Sequence, residues 1–171
     1  SVMGVFTSLD LIKFFIFWEL ELIPMYFLIS IWGSGRKEYS AMKFLVFTIL
    51  GSVFMLVSIV AIFLSPQINT LDIIKLSEQG ISASALIIPA SVAFWFFFVA
   101  FAVKLPIWPL HTWLPDAHTD APTAVSVMLA GVLLKMGGYG LIRISVGLFP
   151  ELAQSYAYII AILAVIGVLY G

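Results

Sequence analysis

The sequence predicts an all-α fold, a polytopic bundle of about five transmembrane helices, one of them discontinuous near Lys104–Pro109. Composition is the first reason: 63% of residues are hydrophobic, only 10% are charged, and the mean hydropathy is +1.15, far from the mix of a soluble domain. The second is the recurrence of apolar runs of about 20 residues, the length a helix needs to cross a bilayer. The third is a cluster of prolines just after a lysine inside one of those runs. A soluble protein with five buried helices would need a shell of polar helices, and this sequence does not supply one. A net charge of -1 argues against a nucleic-acid partner. The absence of cysteine removes disulfides, iron–sulfur ligation and thiol catalysis from this chain. Two histidines without a carboxylate cluster predict no metal site. The opening SVMGVFTSLD does not read as a signal peptide. That opening and the apolar IGVLYG ending are expected of a segment of a longer protein.

The spans follow in order. The first covers residues 9–32, with Glu19, Glu21 and Pro24 inside it. The link GSGRKEYSAMK holds Arg36, Lys37 and Lys43, the densest basic cluster, so by the positive-inside rule loop 33–43 lies on the cytoplasmic, negative side. The second span, 44–64, carries no charge. The following link is longer and charge-balanced, belongs on the opposite side, and contains a candidate surface helix around Leu71–Glu78. The third span, 85–113, runs past Lys104 into VKLPIWPLHTWLPDAH. The link LPDAHTDAPT then returns to the first side. A fourth span, 122–146, holds Lys135 and Arg143, and the fifth, 152–171, is uncharged.

Charges at membrane depth are the candidate site. Residues 86–103 contain no charge before Lys104, and residues 121–134 contain none before Lys135. A charge there costs roughly 3 kcal/mol on insertion scales, so it is retained with a partner or a task. Pro106 removes a backbone donor and blocks the carbonyl of Ala102, which predicts an interruption between Ala102 and Pro109. A broken helix at that depth is tolerated where it is buried in protein or lines a wet cavity, and opened carbonyls beside an ammonium are common at transporter sites. The alternative is a helix ending at Leu105 with Lys104 reaching the interface. Lys135, near the middle of its span among Ala130, Gly131, Gly137, Gly138 and Gly140, is expected to be buried; the glycines taken alone read as packing. Glu19 is expected to approach Lys104 from the interior face of its helix. Glu21, about 200° further round, is expected to point elsewhere. Arg143 reads as an interfacial anchor. His111 and His118 follow Lys104 at seven-residue spacings and could pass protons between water and a buried site, although His118 could equally be a solvated loop side chain.

WELELIPMYFLISIWG, FAVKLPIWPLHTWLPDAHTDAPTAVSVMLAGVLLKMGGYGLIR and the spacing between them resemble the antiporter-like subunits, of the subunit M (chain 4) type, of the NAD(P)H–quinone oxidoreductase or complex I family. The resemblance covers essentially the whole chain. It implies a proton-translocating membrane subunit of about fourteen helices built on two inverted five-helix repeats, of which this chain is the first. Glu19 matches the family's channel glutamate, Lys104 the lysine at the broken helix, and Lys135 the lysine that links the half-channel to the central axis. His111 and His118 match the histidines beside that connection. The resemblance also implies that this chain holds no redox site or cofactor, with flavin, iron–sulfur clusters and quinone in partner subunits. Its partners would be the other membrane subunits, including neighbouring antiporter-like ones, and the bilayer. The location would be the bacterial inner membrane, or the thylakoid or mitochondrial inner membrane. At an effective dielectric of about 20 and roughly 6 Å, a Glu19–Lys104 pair interacts by about 3 kcal/mol, so relative movement would switch how strongly the lysine holds its proton. Two other readings are a subunit of a multi-subunit cation/proton antiporter and a scaffold whose buried charges merely pair.

Overall fold

Helix α1, Val2–Thr7, leads into the first span, Leu11–Trp32. The computed structural model describes residues 1–81 and 86–170. Asp10 starts the span by accepting from the backbone N–H groups of Ile12 (2.9 Å) and Lys13 (3.1 Å), two of the donors a helix start leaves unpaired. The span divides at Glu21 into α2, Leu11–Leu20, and α3, Leu22–Trp32. Pro24 is the reason: it has no N–H for the Leu20 carbonyl, and its ring crowds that oxygen.

Helix α4, Lys37–Phe63, is uninterrupted and begins before its apolar stretch, in the basic link. A short helix α5, Ile73–Gln79, lies in the long link, close to the surface helix expected there. Helix α6 covers Ala90–Lys104. Its 15 residues rise only about 22 Å, short of a hydrocarbon core of about 30 Å. Turns occupy residues 105–112, and α7, Trp113–Asp120, completes the crossing. The interruption therefore falls where the prolines place it; Ala85, the expected start of this span, lies outside the described residues. Helix α8, Thr123–Val146, contains two π-helical stretches, Leu129–Leu133 and Leu141–Val146, and α9 is Pro150–Tyr170.

The links gather at two ends. At one, the Ser34 N–H donates to the Asp120 carbonyl (2.8 Å), Ser40 bonds the Asp120 carboxylate, and Lys43 pairs with Asp116 at 2.6 Å. At the other, Leu11 N–H donates to Leu71 O (3.0 Å), Ile73 N–H to Leu9 O (2.7 Å) and Ile81 N–H to Leu148 O (3.0 Å). Two apolar clusters fill the bundle. One, toward the second end, joins Phe14, Trp18, Met55, Phe97, Phe101 and Met136. The other, toward the first end, joins Leu22, Met25, Phe44, Trp113, Leu129 and Leu133. Helix α9 lies outside both, with no buried residue, resting on the first cluster through Leu152, Ala153, Tyr156 and Ile160.

Close approach between helices depends on glycine. A Cβ on Gly51 of α4 would meet Val103 Cβ at 3.1 Å. One on Gly137 of α8 would meet Leu105 N at 2.6 Å and Phe101 O at 2.9 Å, both backbone atoms that cannot swing aside. Gly137→Ala is therefore expected to cost about 1–3 kcal/mol by overpacking. Gly138→Ala, whose Cβ would make an ordinary 3.6 Å contact with Leu105 Cδ1, is expected to be neutral, or to gain up to about 1 kcal/mol in helix propensity. Thermal unfolding of the two variants compares them directly, and equal midpoints would mean that α8 does not lie on the end of α6.

Candidate functional site

Lys104 is the last residue of α6 and is 2% exposed. Its ammonium sits between the two apolar clusters, in ion contact with the carboxylate of Glu21, itself 2% exposed, at the division between α2 and α3. The two groups touch as an ion pair, and neither makes a hydrogen bond of ordinary geometry. The indole of Trp18, one turn before Glu21, covers the ammonium at 4.1 Å from ring centroid to Nζ, a cation–π contact. Trp18 is held in turn by stacking on Phe14 (5.4 Å between centroids) and by the edge of Phe101 (5.5 Å).

The end of α6 is closed by its own surroundings. Pro106 cannot serve the Ala102 carbonyl, and the Ile107 N–H takes it instead at 2.8 Å. The Val103 carbonyl accepts from the indole N–H of Trp113 on α7 at 2.8 Å. Both carbonyls therefore have partners, so the Lys104 site is built from side chains and not from opened backbone oxygens. The buried side chains also rule out the alternative of a lysine reaching for the interface.

Glu19 lies nearby without making the pair. It is half-buried, its Oε1 is buried without a hydrogen bond, and Ser52 of α4 is its neighbour. Its charge acts on Lys104 but stands outside ion-pair contact. The expectation that Glu21 points elsewhere is thus corrected. The buried residues of the first span run Leu11, Phe14, Trp18, Glu21, Leu22, Met25 and Ile29. Spacings of three and four put Glu21, and not Glu19, on that stripe. The phase set by Trp18 and Met25 is the signal that could have found it.

Lys135 is also placed differently from expectation. It is exposed on the side of α8 away from the bundle, with Val127, Met128 and Ile142. The glycines near it face two ways: Gly137 and Gly140 turn inward against α6, two and five residues on, while an added Cβ on Gly131 would meet nothing within 4 Å. The close approach they permit therefore serves the opposite face. Arg143 is half-buried and bonds the Tyr139 hydroxyl, which donates to Phe6 O at 3.0 Å.

The histidines stay apart from the pair. His111 lies in the turns after α6, with Nδ1 buried and without a hydrogen bond and its ring edge-on to Tyr170 at 5.3 Å. His118 is exposed near the end of α7, where Nδ1 pairs with the Ser126 hydroxyl. Its partner is a serine, and not the flanking Asp116 or Asp120. No cluster of metal-ligating side chains occurs among the described residues.

The chain matches the family model described as NADH:quinone oxidoreductase/Mrp antiporter, transmembrane, over residues 8–171. It is 44% identical over 168 residues to the NAD(P)H-quinone oxidoreductase chain 4 1 of Synechococcus sp. (strain JA-3-3Ab), covering 98% of this chain and 31% of that one. Among solved structures it is similar to respiratory complex I from Thermus thermophilus with bound NADH, at 30% identity and a TM-score of 0.82, over 94% of this chain and 34% of the other. It is also similar to the Mrp complex from Dietzia sp. DQ12-45-1b, at 28% identity and a TM-score of 0.71, over 84% of this chain and 26% of the other. The chain spans about a third of the length of the curated relatives it matches.

Removing one partner of a buried ion pair leaves an uncompensated charge and typically costs about 3–5 kcal/mol, whereas removing both is nearly neutral. Lys104→Met is accordingly expected to lower the thermal midpoint clearly, and Lys104→Met combined with Glu21→Gln to recover most of the loss. A double variant no more stable than the single one would mean that these groups are not partners.

Proposed function

Because the chain belongs to the NADH:quinone oxidoreductase/Mrp antiporter transmembrane family, we propose that it is a proton-translocating part of an NAD(P)H–quinone oxidoreductase membrane arm. The observation that carries this reading is the Lys104–Glu21 pair, sealed between two apolar clusters where a spanning helix breaks. An ammonium held there by a movable carboxylate can gain and lose a proton as the spacing changes, a relay that needs no metal or cofactor in this chain. Electron transfer, with its flavin, iron–sulfur clusters and quinone, belongs in this reading to partner subunits.

Glu19, half-buried beside Ser52, is the proposed station between the pair and water. Lys135 is the proposed exit toward the rest of the subunit. Its exposed position at mid-span is supported as a contact face by the length of the relatives, about three times that of this chain. The remaining length would hold the second of two inverted five-helix repeats in a subunit of about fourteen helices. His111, with a buried unpaired nitrogen in the broken segment, is the histidine better placed to take part, and His118 serves nearer the aqueous end. The similarity to the Mrp complex supports a second reading, a subunit of a multi-subunit cation/proton antiporter. Co-purification with flavin and iron–sulfur subunits favours the first reading, and purification with membrane subunits alone the second.

In the intact complex, Lys104→Ala and Lys135→Ala are each expected to cut quinone-linked proton pumping by at least about tenfold. Lys135→Arg is expected to impair it as well, because guanidinium does not release a proton at accessible pH. Pumping in membranes, normalised to assembled complex, is the measurement, and normal pumping in the Lys104→Ala variant would sink the reading. The segment 33–43, whose residues from Lys37 onward form the start of α4, is proposed to face the cytoplasmic, negative side. Since these 171 residues contain no cysteine, Arg36→Cys and Lys75→Cys each add one labelling site to this segment, read against the labelling of the parent complex. An impermeant maleimide added outside is expected to modify the second and spare the first; the reverse pattern would invert the orientation.

A further inference from the structure

The geometry points to Glu21 as a proton carrier in its own right, exchanging a proton directly with Lys104, with Glu19 as the less buried carboxyl of the same site. This inference rests on the proton-translocating reading and assigns that site a second carboxyl. Three observations combine. Glu21 is in ion contact with Lys104 and both are 2% exposed, so no water need stand between donor and acceptor. Both Glu21 carboxylate oxygens are buried; Oε1 faces the Lys104 ammonium and Oε2 has no hydrogen-bond partner, which leaves lone pairs open to a proton. Glu19, less buried and with Ser52 beside it, acts electrostatically on both Glu21 and Lys104 without touching the ammonium.

Charge counting shows why two carboxyls serve better than one. Two carboxylates and one ammonium carry a net charge of about -1, which is costly inside an apolar bundle. One added proton on either carboxyl makes the triad neutral. With that proton on Glu19, breaking an N–H bond of Lys104 and forming an O–H bond on the Glu21 carboxylate moves a proton while leaving the total charge unchanged. No net charge has to enter or leave the apolar interior during the step. Glu19, the less buried of the two carboxyls, must first release its own proton toward the surface, breaking its O–H bond, and only the carboxylate so formed can accept the proton that leaves Glu21. A lone Glu19–Lys104 pair would lack the direct contact. Trp18 contributes by covering part of the ammonium with its ring face, which leaves Glu21 as the carboxylate in contact with it.

The test uses the intact complex, with proton pumping per assembled complex and the infrared carbonyl bands of protonated carboxyls as its two readouts. Lys104→Ala establishes whether the route passes through this site at all. Glu21→Gln is expected to lower pumping by at least about tenfold, as Lys104→Ala does, because a relay group is lost. Glu21→Asp retains the charge; it is expected to keep pumping within severalfold of the parent and to shift one protonated-carboxyl band. Loss of pumping in Lys104→Ala with normal pumping in Glu21→Gln would overturn the inference and leave the broader reading standing. Normal pumping in Lys104→Ala would instead count against that reading. If Glu21→Gln does not assemble, Glu21→Asp decides: a band that does not move shows that Glu21 is a fixed counter-ion and carries no exchanging proton.

Discussion

A positive charge buried at the end of a broken helix organises this bundle. Desolvating an ammonium is costly enough that each element near Lys104 is arranged to compensate for it. The first span supplies Glu21 and the Trp18 ring face. The Ala102 carbonyl freed by Pro106 is answered by the Ile107 N–H, and the Val103 carbonyl at the helix end by Trp113, which ties the second half of the crossing to the first. Gly137 allows the backbone of α8 to lie against the break, so the interruption is covered by protein. The polar layer sits between two apolar clusters, one on each side, and neither cluster extends across it.

Two breaks meet in that layer, and proline causes both. Pro24 divides the first span beside Glu21, and Pro106 ends α6 beside Lys104. Backbone at such breaks has more freedom than in a regular helix, so opposed charges placed there can change their spacing while the helices themselves stay put. The far end of the broken crossing is pinned. Asp116 and Asp120 of α7 are clasped by Lys43 and Ser40 of α4 and by the Ser34 N–H. Between that clasp and the Lys104 end of α6 lie the turns over residues 105–112, which include His111.

The outer surface differs in character from this sealed interior. Helix α9 buries none of its residues, and the exposed side of α8 carries Lys135 among Val127, Met128 and Ile142. An isolated lysine on a lipid-facing stripe would be costly, so this side of α8 suits contact with further polypeptide. Relatives about three times as long as this chain have the length to supply it.

The amino-acid sequence by itself determined the all-α character, the presence of several apolar helices long enough to cross a membrane and the position of the break. Apolar length and proline chemistry are local properties, legible without knowing what packs on what. Family membership was equally legible, in WELELIPMYF and in the run from FAVKLP to GLIR. Which of two neighbouring groups faces inward was decided only by the tertiary structure. Glu19 and Glu21, like Lys135 and Gly137, are two residues apart and so about 200° apart around a helix. In spans apolar on every side, the hydrophobic pattern barely marks the inner face. Packing settled the choice: Trp18 and Met25 carried Glu21 onto Lys104, and the fit of Gly137 against Leu105 turned Lys135 outward.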